Sequence, residues 1–109
     1  MKIYNIKNMS GGWFVGNFSP AAYNSKDFEI CYKFHAKGEY WDPHFHKIIT
    51  EITLVVSGII KINDLIFKNG DIFVIEPEET VYPEFIEDCE LIVIKTPSIP
   101  GDKYIIKQT

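Results

Sequence analysis

Residues 38–58 read GEYWDPHFHKIITEITLVVSG, and this stretch decides the fold. His44 and His46 are two positions apart, so on a β-strand their side chains point to the same face. Glu51 comes directly before the β-branched run ITLVV and can return toward that face on the neighbouring strand. Two imidazoles and a carboxylate that converge in this way suit a divalent metal ion that keeps open positions for a substrate.

Short β-branched and aromatic segments, separated by turn residues, run along nearly the whole chain. This spacing predicts an all-β fold, either a sandwich, a jelly roll or a closed barrel, in a single domain over residues 1–109. Several segments are apolar on both faces, which predicts cover on both sides and favours a homodimer that forms through a sheet. The predicted strands are 13–16, 28–34, 51–56, 59–62, 71–75, 81–85, 90–95 and 103–107.

The composition argues against several classes of protein. A net charge of −4 lacks the basic footprint of nucleic-acid binding. No apolar run approaches the roughly 20 residues of a membrane span, so we expect no membrane partner. The N-terminus lacks the apolar stretch of a secretory signal, so we expect a cytoplasmic protein. All 11 basic residues are lysines, so lysine, backbone N–H groups or a metal ion would have to hold an anionic substrate.

The 38–58 pattern resembles the first motif of the cupin superfamily of small β-barrels. That motif runs glycine, five residues, His-x-His, three or four residues, glutamate, six residues, glycine. It is matched without a gap by Gly38, His44, His46, Glu51 and Gly58. The resemblance covers about residues 28–96 and implies a jelly-roll barrel of two antiparallel sheets. It also implies that both histidines and the glutamate bind one divalent metal ion, which would be Fe(II), Mn(II), Ni(II) or Zn(II).

The second cupin motif is degenerate. Gly70 and Pro77 fit it, but Tyr82 stands where the motif has a histidine. Three outcomes are open: a three-ligand site with free positions, a Tyr82 that ligates the metal or acts as an acid above it, or a weakened site without metal. Glu84 shares a face with Tyr82 if the strand is regular, although Pro83 between them indicates an edge or a bulge. Tyr82 and Glu84 are therefore the candidate catalytic residues, although an outward-facing surface carboxylate is the favoured interpretation of Glu84.

Aromatic side chains are expected to line a substrate pocket. The candidate lining residues are Tyr32, Trp41 and Tyr82. Trp41 lies just before the two histidines of the first motif. In the segment 28–35 the apolar alternation positions include Tyr32, and we expect them to face the barrel interior. His35 lies on the opposite alternation and is expected at the solvent-facing end of the strand. Cys31 and Cys89 are interpreted as reduced core thiols.

These features favour a metal-dependent enzyme, of dioxygenase or isomerase type, that acts on a small molecule bound in the barrel. The alternative is a non-catalytic module that binds a small molecule or sugar, or that has a regulatory role. The degenerate second motif adds weight to that alternative. A metal-free epimerase ranks third, because the chain lacks arginine for a pyrophosphate group.

Overall fold

The all-β prediction is confirmed by a computed structural model, which describes residues 1–107. Within this range the helical content is one 3₁₀ turn, Ile6–Asn8, and no helix is long and apolar enough to cross a membrane. The strands are β1 (Trp13–Gly16), β2 (Tyr23–Asn24), β3 (Glu29–His35), β4 (His44–Phe45), β5 (Thr50–Ser57), β6 (Ile59–Ile62), β7 (Leu65–Lys68), β8 (Ile72–Ile75), β9 (Pro83–Phe85), β10 (Cys89–Thr96) and β11 (Tyr104–Ile105).

Strands β2, β4 and β7 are additions to the predicted set. Strands β2 and β4 are two residues long, too short to show a period in the sequence. Strand β7 forms a hairpin with β6 through the two-residue turn Asn63–Asp64, in which both residues have positive φ angles. Such a turn matches the right-handed twist of the flanking strands. Asn63–Asp64 is recognisable in the sequence as a turn, but the strand that returns from it was not predicted.

The strands form two layers. One layer is a six-stranded sheet with the order β2-β1-β3-β10-β5-β8, antiparallel except for the β1–β2 pair. The second layer consists of the sheets β7-β6-β9 and β11-β4. A bridge between His44 of β4 and Val81 connects β4 to the segment that leads into β9, and a second bridge connects Tyr40, in the loop before β4, to Glu84 of β9. The predicted second sheet is therefore split into two hydrogen-bonded pieces.

Alternation along the long strands separates an inner face from an outer one. In β10, Leu91 and Val93 are buried against the second layer, and Ile92 and Ile94 point outward. Cys31 and Cys89 belong to the buried core and are unpaired, as the sequence predicts. Other core residues are Val55, Ile60, Ile62, Ile75, Val81 and Phe85.

The outer side of the six-stranded sheet is also apolar. Strand register aligns two rows of side chains across β3, β10, β5 and β8. One row ends at Ile72, which is 63% exposed, and the other row ends at Val74, which is 50% exposed. We name this surface the outer apolar face; its rows are Tyr32–Ile92–Leu54–Ile72 and Ile30–Ile94–Ile52–Val74.

Candidate metal and ligand site

A cavity of about 240 Å³ lies between the two layers. This volume equals roughly eight water molecules and is smaller than the sites of drug-sized ligands, so it suits a small molecule. Its walls are largely aromatic and aliphatic, with a few charged and titratable groups among them. The polar and aromatic lining residues are Trp13, Lys33, His35, Trp41, His44, Glu51, Thr53, Phe73, Phe85, Lys95 and Lys103.

His46 and Glu51 form the most informative pair beside this cavity. His46 is 3% exposed, and its Nε2 atom lies 3.5 Å from Oε1 of Glu51. The Nδ1 atom of His46 donates a hydrogen bond to the backbone carbonyl oxygen of Asp102. Since a carbonyl oxygen can only accept, Nδ1 holds the proton, and in the neutral ring Nε2 presents a lone pair. Nε2 has no hydrogen-bond partner among the described residues.

A buried lone pair that faces a carboxylate oxygen is repulsive unless a cation lies between the two atoms. The cation can be a metal ion or the second proton of an imidazolium ring. Ligand atoms about 2.1 Å from a tetrahedral metal ion stand roughly 3.4 Å apart, close to the separation of Nε2 and Oε1. The backbone acceptor on Nδ1 is also the usual outer partner of a metal-binding histidine. The pair therefore fits a divalent metal ion.

The electrostatics of Glu51 support an ionised ligand. Burial acts to raise the pKa of this carboxyl group, but the contact with His46 and the charge of Lys95 outweigh burial and hold the pKa below its usual value. Thr53 donates a hydrogen bond of 3.2 Å to the other carboxylate oxygen of Glu51. Glu51 is thus a fixed, charged group at the cavity wall.

His44 lines the cavity but stands apart from this pair. Its Nδ1 donates to the carbonyl oxygen of Asp42 at 3.0 Å, and its ring centroid lies 5.9 Å from that of His46. Burial is the main cause that lowers the pKa of His44, which favours the neutral ring that metals require. Within residues 1–107, no three His, Cys, Asp or Glu side chains are close enough together to hold a metal ion. A change in the position of His44 is needed to complete a three-ligand site.

Asp102 was not recognised from the sequence, although it organises the loop after His46. Its carboxylate accepts hydrogen bonds from the backbone amides of Ile48 and Ile49, each at 3.0 Å, and of Lys47 at 3.3 Å. Burial acts to raise the pKa of Asp102, but these amides outweigh it and keep the pKa below its usual value. The sequence signal was faint, because Asp102 belongs to a turn-rich segment more than 50 residues from its partners.

The alternation of β3 is the reverse of the predicted one. The prediction that Tyr32 faces the interior is wrong. Tyr32 belongs to the outer apolar face, and its hydroxyl donates a hydrogen bond to Glu90 of β10. Cys31, Lys33 and His35 line the cavity instead. The interior side of this strand carries charged groups because it faces a cavity, and the apolar side is turned outward.

His35 is likewise not the solvent-facing residue predicted. It is 7% exposed, stacks on Phe85 with ring centroids 4.2 Å apart, and lies edge-on to Trp41. Its Nδ1 donates to Glu39 at 2.5 Å, and Trp41 donates to the same carboxylate oxygen at 2.6 Å. Burial acts to raise the pKa of Glu39, but these two hydrogen bonds hold the pKa below its usual value. An ionised carboxylate therefore fixes a histidine that borders the cavity.

Tyr82 and Glu84 lie away from this arrangement. Tyr82 is 49% exposed and Glu84 is also exposed, and neither contributes to the cavity wall. Pro83 and Phe85, on the opposite alternation, line the cavity. Tyr82 lies just before β9, and both Tyr82 and Glu84 are exposed, so the face that they share is the outer one.

Comparison with known proteins bears on the fold. No family model matches the sequence, and no curated protein matches it. Structural matches include a protein with a double-stranded β-helix domain from Klebsiella pneumoniae (18% identity, TM-score 0.67, covering 77% of this chain and 74% of that one). An RmlC-like cupin protein from Ralstonia eutropha matches at 18% identity and a TM-score of 0.59, covering 75% of this chain and 57% of that one. This chain has the cupin fold.

The DMSP lyase DddQ from Ruegeria pomeroyi shares the same architecture. It matches at 11% identity and a TM-score of 0.71, covering 85% of this chain and 49% of the lyase. At such identities the likeness extends to the cupin fold and no further. The site of this chain must therefore be interpreted from its own residues.

Proposed function

We propose that this cupin is a metal-dependent enzyme that acts on a small molecule bound in the cavity. The observation that carries the proposal is the buried Nε2 atom of His46, which has no hydrogen-bond partner within residues 1–107 and lies 3.5 Å from the Glu51 carboxylate. His46 and Glu51 would hold the metal ion, and His44 would join them from the cavity wall. The ion would be Fe(II), Mn(II), Ni(II) or Zn(II), since imidazole and carboxylate ligands accept all four.

The protein's own groups supply the remaining requirements of such a site. A bound metal would contribute Lewis acidity toward an oxygen of the substrate, or O₂ chemistry if it is iron. Trp41, Phe73 and Phe85 supply aromatic walls to the cavity. His35 borders the cavity with Nδ1 fixed by Glu39, so its Nε2 is a candidate for proton transfer with the substrate. His35 thus replaces Tyr82 and Glu84 as the candidate catalytic residue.

Metal content tests this proposal. Protein purified without oxygen is analysed by elemental mass spectrometry, as the wild type and as His46→Gln and Glu51→Gln. His35→Gln is the matched control, because it removes another buried histidine at the same cavity. We expect near-stoichiometric metal in the wild type and in the control, and its loss in both ligand variants. Wild-type protein that stays metal-free after reconstitution would contradict the proposal.

A non-catalytic binding module is the second candidate. It is favoured by two observations: within residues 1–107 no three potential ligands stand at metal-holding distance, and Tyr82 lies on the exposed side of its strand. In that case the cavity would bind a small molecule or sugar for storage or regulation. Tight ligand binding by protein that stays metal-free after reconstitution would favour this candidate.

We further propose that the protein is a cytoplasmic homodimer. The unpaired cysteines accord with a reducing compartment. The outer apolar face supports dimerisation, because contiguous exposed apolar surface on a small domain commonly marks an interface. Light scattering tests it with Ile72→Lys and Val74→Lys, which should give monomers, beside Leu65→Lys, an equally exposed residue in the other layer. A wild-type monomer at micromolar concentration would contradict the proposal.

A further inference from the structure

Three lysines of this acidic protein line the cavity: Lys33, Lys95 and Lys103, here called the lysine trio. Glu51 is the sole acidic residue among the described lining residues. The chain as a whole has a net charge of −4, so the cavity has the opposite sign of charge from the protein around it. Clefts of one sign focus the potential and concentrate ligands of the other sign.

Two of the trio are positioned by tryptophan rings. Nζ of Lys95 lies 4.8 Å from the ring centroid of Trp13, and Nζ of Lys103 lies 4.3 Å from that of Trp41. A cation over an aromatic face is attracted by the ring but keeps its full charge, and its other N–H donors stay free. A carboxylate partner would have neutralised the ammonium group instead.

The trio also lacks close carboxylate partners. Within residues 1–107, no aspartate or glutamate oxygen lies within 4.0 Å of any of its three ammonium groups. The pKa of Lys103 is lowered first by burial and then by the charge of Lys95, which shows that like charges meet at this wall. Converging cations without partners make a cavity that is incomplete until an anion enters it.

We infer that the cavity binds a small dianion, a dicarboxylate or a phosphate monoester, whose negative groups contact the lysine trio. The inference rests on the small-molecule function proposed above and names its substrate class. In the metal-free protein, two negative charges balance the excess of three lysines over one glutamate. The cavity volume of about 240 Å³ restricts the ligand to a small metabolite.

Tryptophan fluorescence tests this inference directly, because the chain's two tryptophans both stand beside the trio. Metal-free protein is titrated with succinate and with glycerol 2-phosphate, and in parallel with the neutral analogues succinamide and glycerol. We expect saturable binding of at least one dianion, at least tenfold tighter than its neutral analogue. Binding of succinate would indicate a dicarboxylate site, and binding of glycerol 2-phosphate would indicate a phosphate site.

Variants identify the groups responsible. Lys95→Met and Lys103→Met should each weaken dianion binding at least fivefold, and Lys37→Met, which removes an exposed lysine outside the cavity, should leave it unchanged. If a variant fails to fold, the salt dependence of the wild type decides, since dianion affinity should fall severalfold between 20 and 300 mM NaCl. Equal affinity for the neutral analogue, or binding that neither salt nor the folded variants weaken, would overturn the inference.

The same titration on metal-loaded protein separates this inference from the proposed function. Dianion binding by protein that never takes up metal would leave the trio's role intact and remove the enzyme proposal. A metal-loaded protein that binds none of these dianions would leave the enzyme proposal intact and overturn the role of the lysine trio.

Discussion

The ring of His46 donates its Nδ1 proton to the carbonyl oxygen of Asp102, 56 residues further along the chain. The other two histidines follow the same rule, with His44 donating to the carbonyl of Asp42 and His35 to the carboxylate of Glu39. Each Nδ1 thus meets an oxygen that, as a carbonyl or ionised carboxylate, can only accept a hydrogen bond. The backbone and one glutamate therefore select the same tautomer in all three neutral rings.

This selection predicts a specific nuclear magnetic resonance spectrum. In ¹⁵N-labelled protein, the neutral ring of each of the three histidines should carry its proton on Nδ1. Addition of Zn²⁺ should shift the Nε2 resonances of His44 and His46 and leave that of His35 in place, because only the first two are proposed ligands. Single His→Gln variants assign the signals. A proton on Nε2 of His46 in the neutral ring, or a shift at His35 as large as at His46, would contradict the prediction.

Substitution of Asp102 should weaken both the fold and the proposed metal site. In Asp102→Asn one carboxylate oxygen becomes an NH₂ group, so either the amide of Lys47, bound at Oδ1, or the amides of Ile48 and Ile49, bound at Oδ2, lose their acceptor, and the remaining acceptor is uncharged. Because Asp102 is buried, we expect the free energy of unfolding in urea to fall by about 2–4 kcal/mol. Zn²⁺ affinity should fall about 10- to 100-fold, since these contacts position His46.

Asp64→Asn is the control for that experiment. Asp64 lies on the surface, 3.6 Å from Lys61, and an exposed ion pair contributes about 0–1 kcal/mol. Its loss should leave Zn²⁺ affinity unchanged. An Asp102→Asn protein as stable as Asp64→Asn would show that the amides find other acceptors.

The two glycines that bracket the first motif should respond differently to alanine. Gly58 has φ +96°, and a Cβ there would stand 2.1 Å from the carbonyl oxygen of Asp88. Gly38 has φ +79°, but its Cβ would meet no atom within 4 Å. We expect Gly38→Ala to lower the free energy of unfolding by about 1–2 kcal/mol, from backbone conformation alone. Gly58→Ala should cost more than about 3 kcal/mol. Equal losses in thermal or urea unfolding would mean that the strands can separate at Gly58.

The sequence predicts an all-β fold from its short, evenly spaced strands, and the resemblance of Gly38, His44, His46, Glu51 and Gly58 to the first cupin motif implies the cupin fold. It fails on the alternation of β3, where the rule that apolar side chains face the core reverses because the interior is a charged cavity. It also fails on Asp102, because contacts made at long range leave no period in the sequence. Tyr82 was placed by analogy with a motif position, and its exposed side chain shows that position alone does not fix direction.

Alkaline pH should destabilise the protein through Cys31. Burial is the main cause that raises the pKa of this thiol from 9.0 to about 12. In the unfolded chain the thiol ionises near pH 9, whereas in the fold it stays protonated. Its contribution to stability is therefore complete below pH 9 and is lost as the pH rises toward 12.

The measurement is urea unfolding of the wild type and of Cys31→Ala at pH 8 and at pH 10.5. The wild type should lose about 2 kcal/mol more than the variant between these two values. The variant is the control, because it keeps the lysines and tyrosines that titrate in the same pH range. Identical pH dependence in both proteins would mean that Cys31 ionises in the folded state as readily as in the unfolded chain.

The position of β10 has a consequence for synthesis on the ribosome. This strand, Cys89–Thr96, lies between β3 and β5 in the six-stranded sheet, so both neighbours emerge long before the strand that joins them. Until then β3 and β5 have unpaired edges next to apolar side chains, a state that is prone to pair with other chains. The nascent chain should therefore depend on chaperones until β10 has left the exit tunnel, and the His46–Asp102 contact forms only after that.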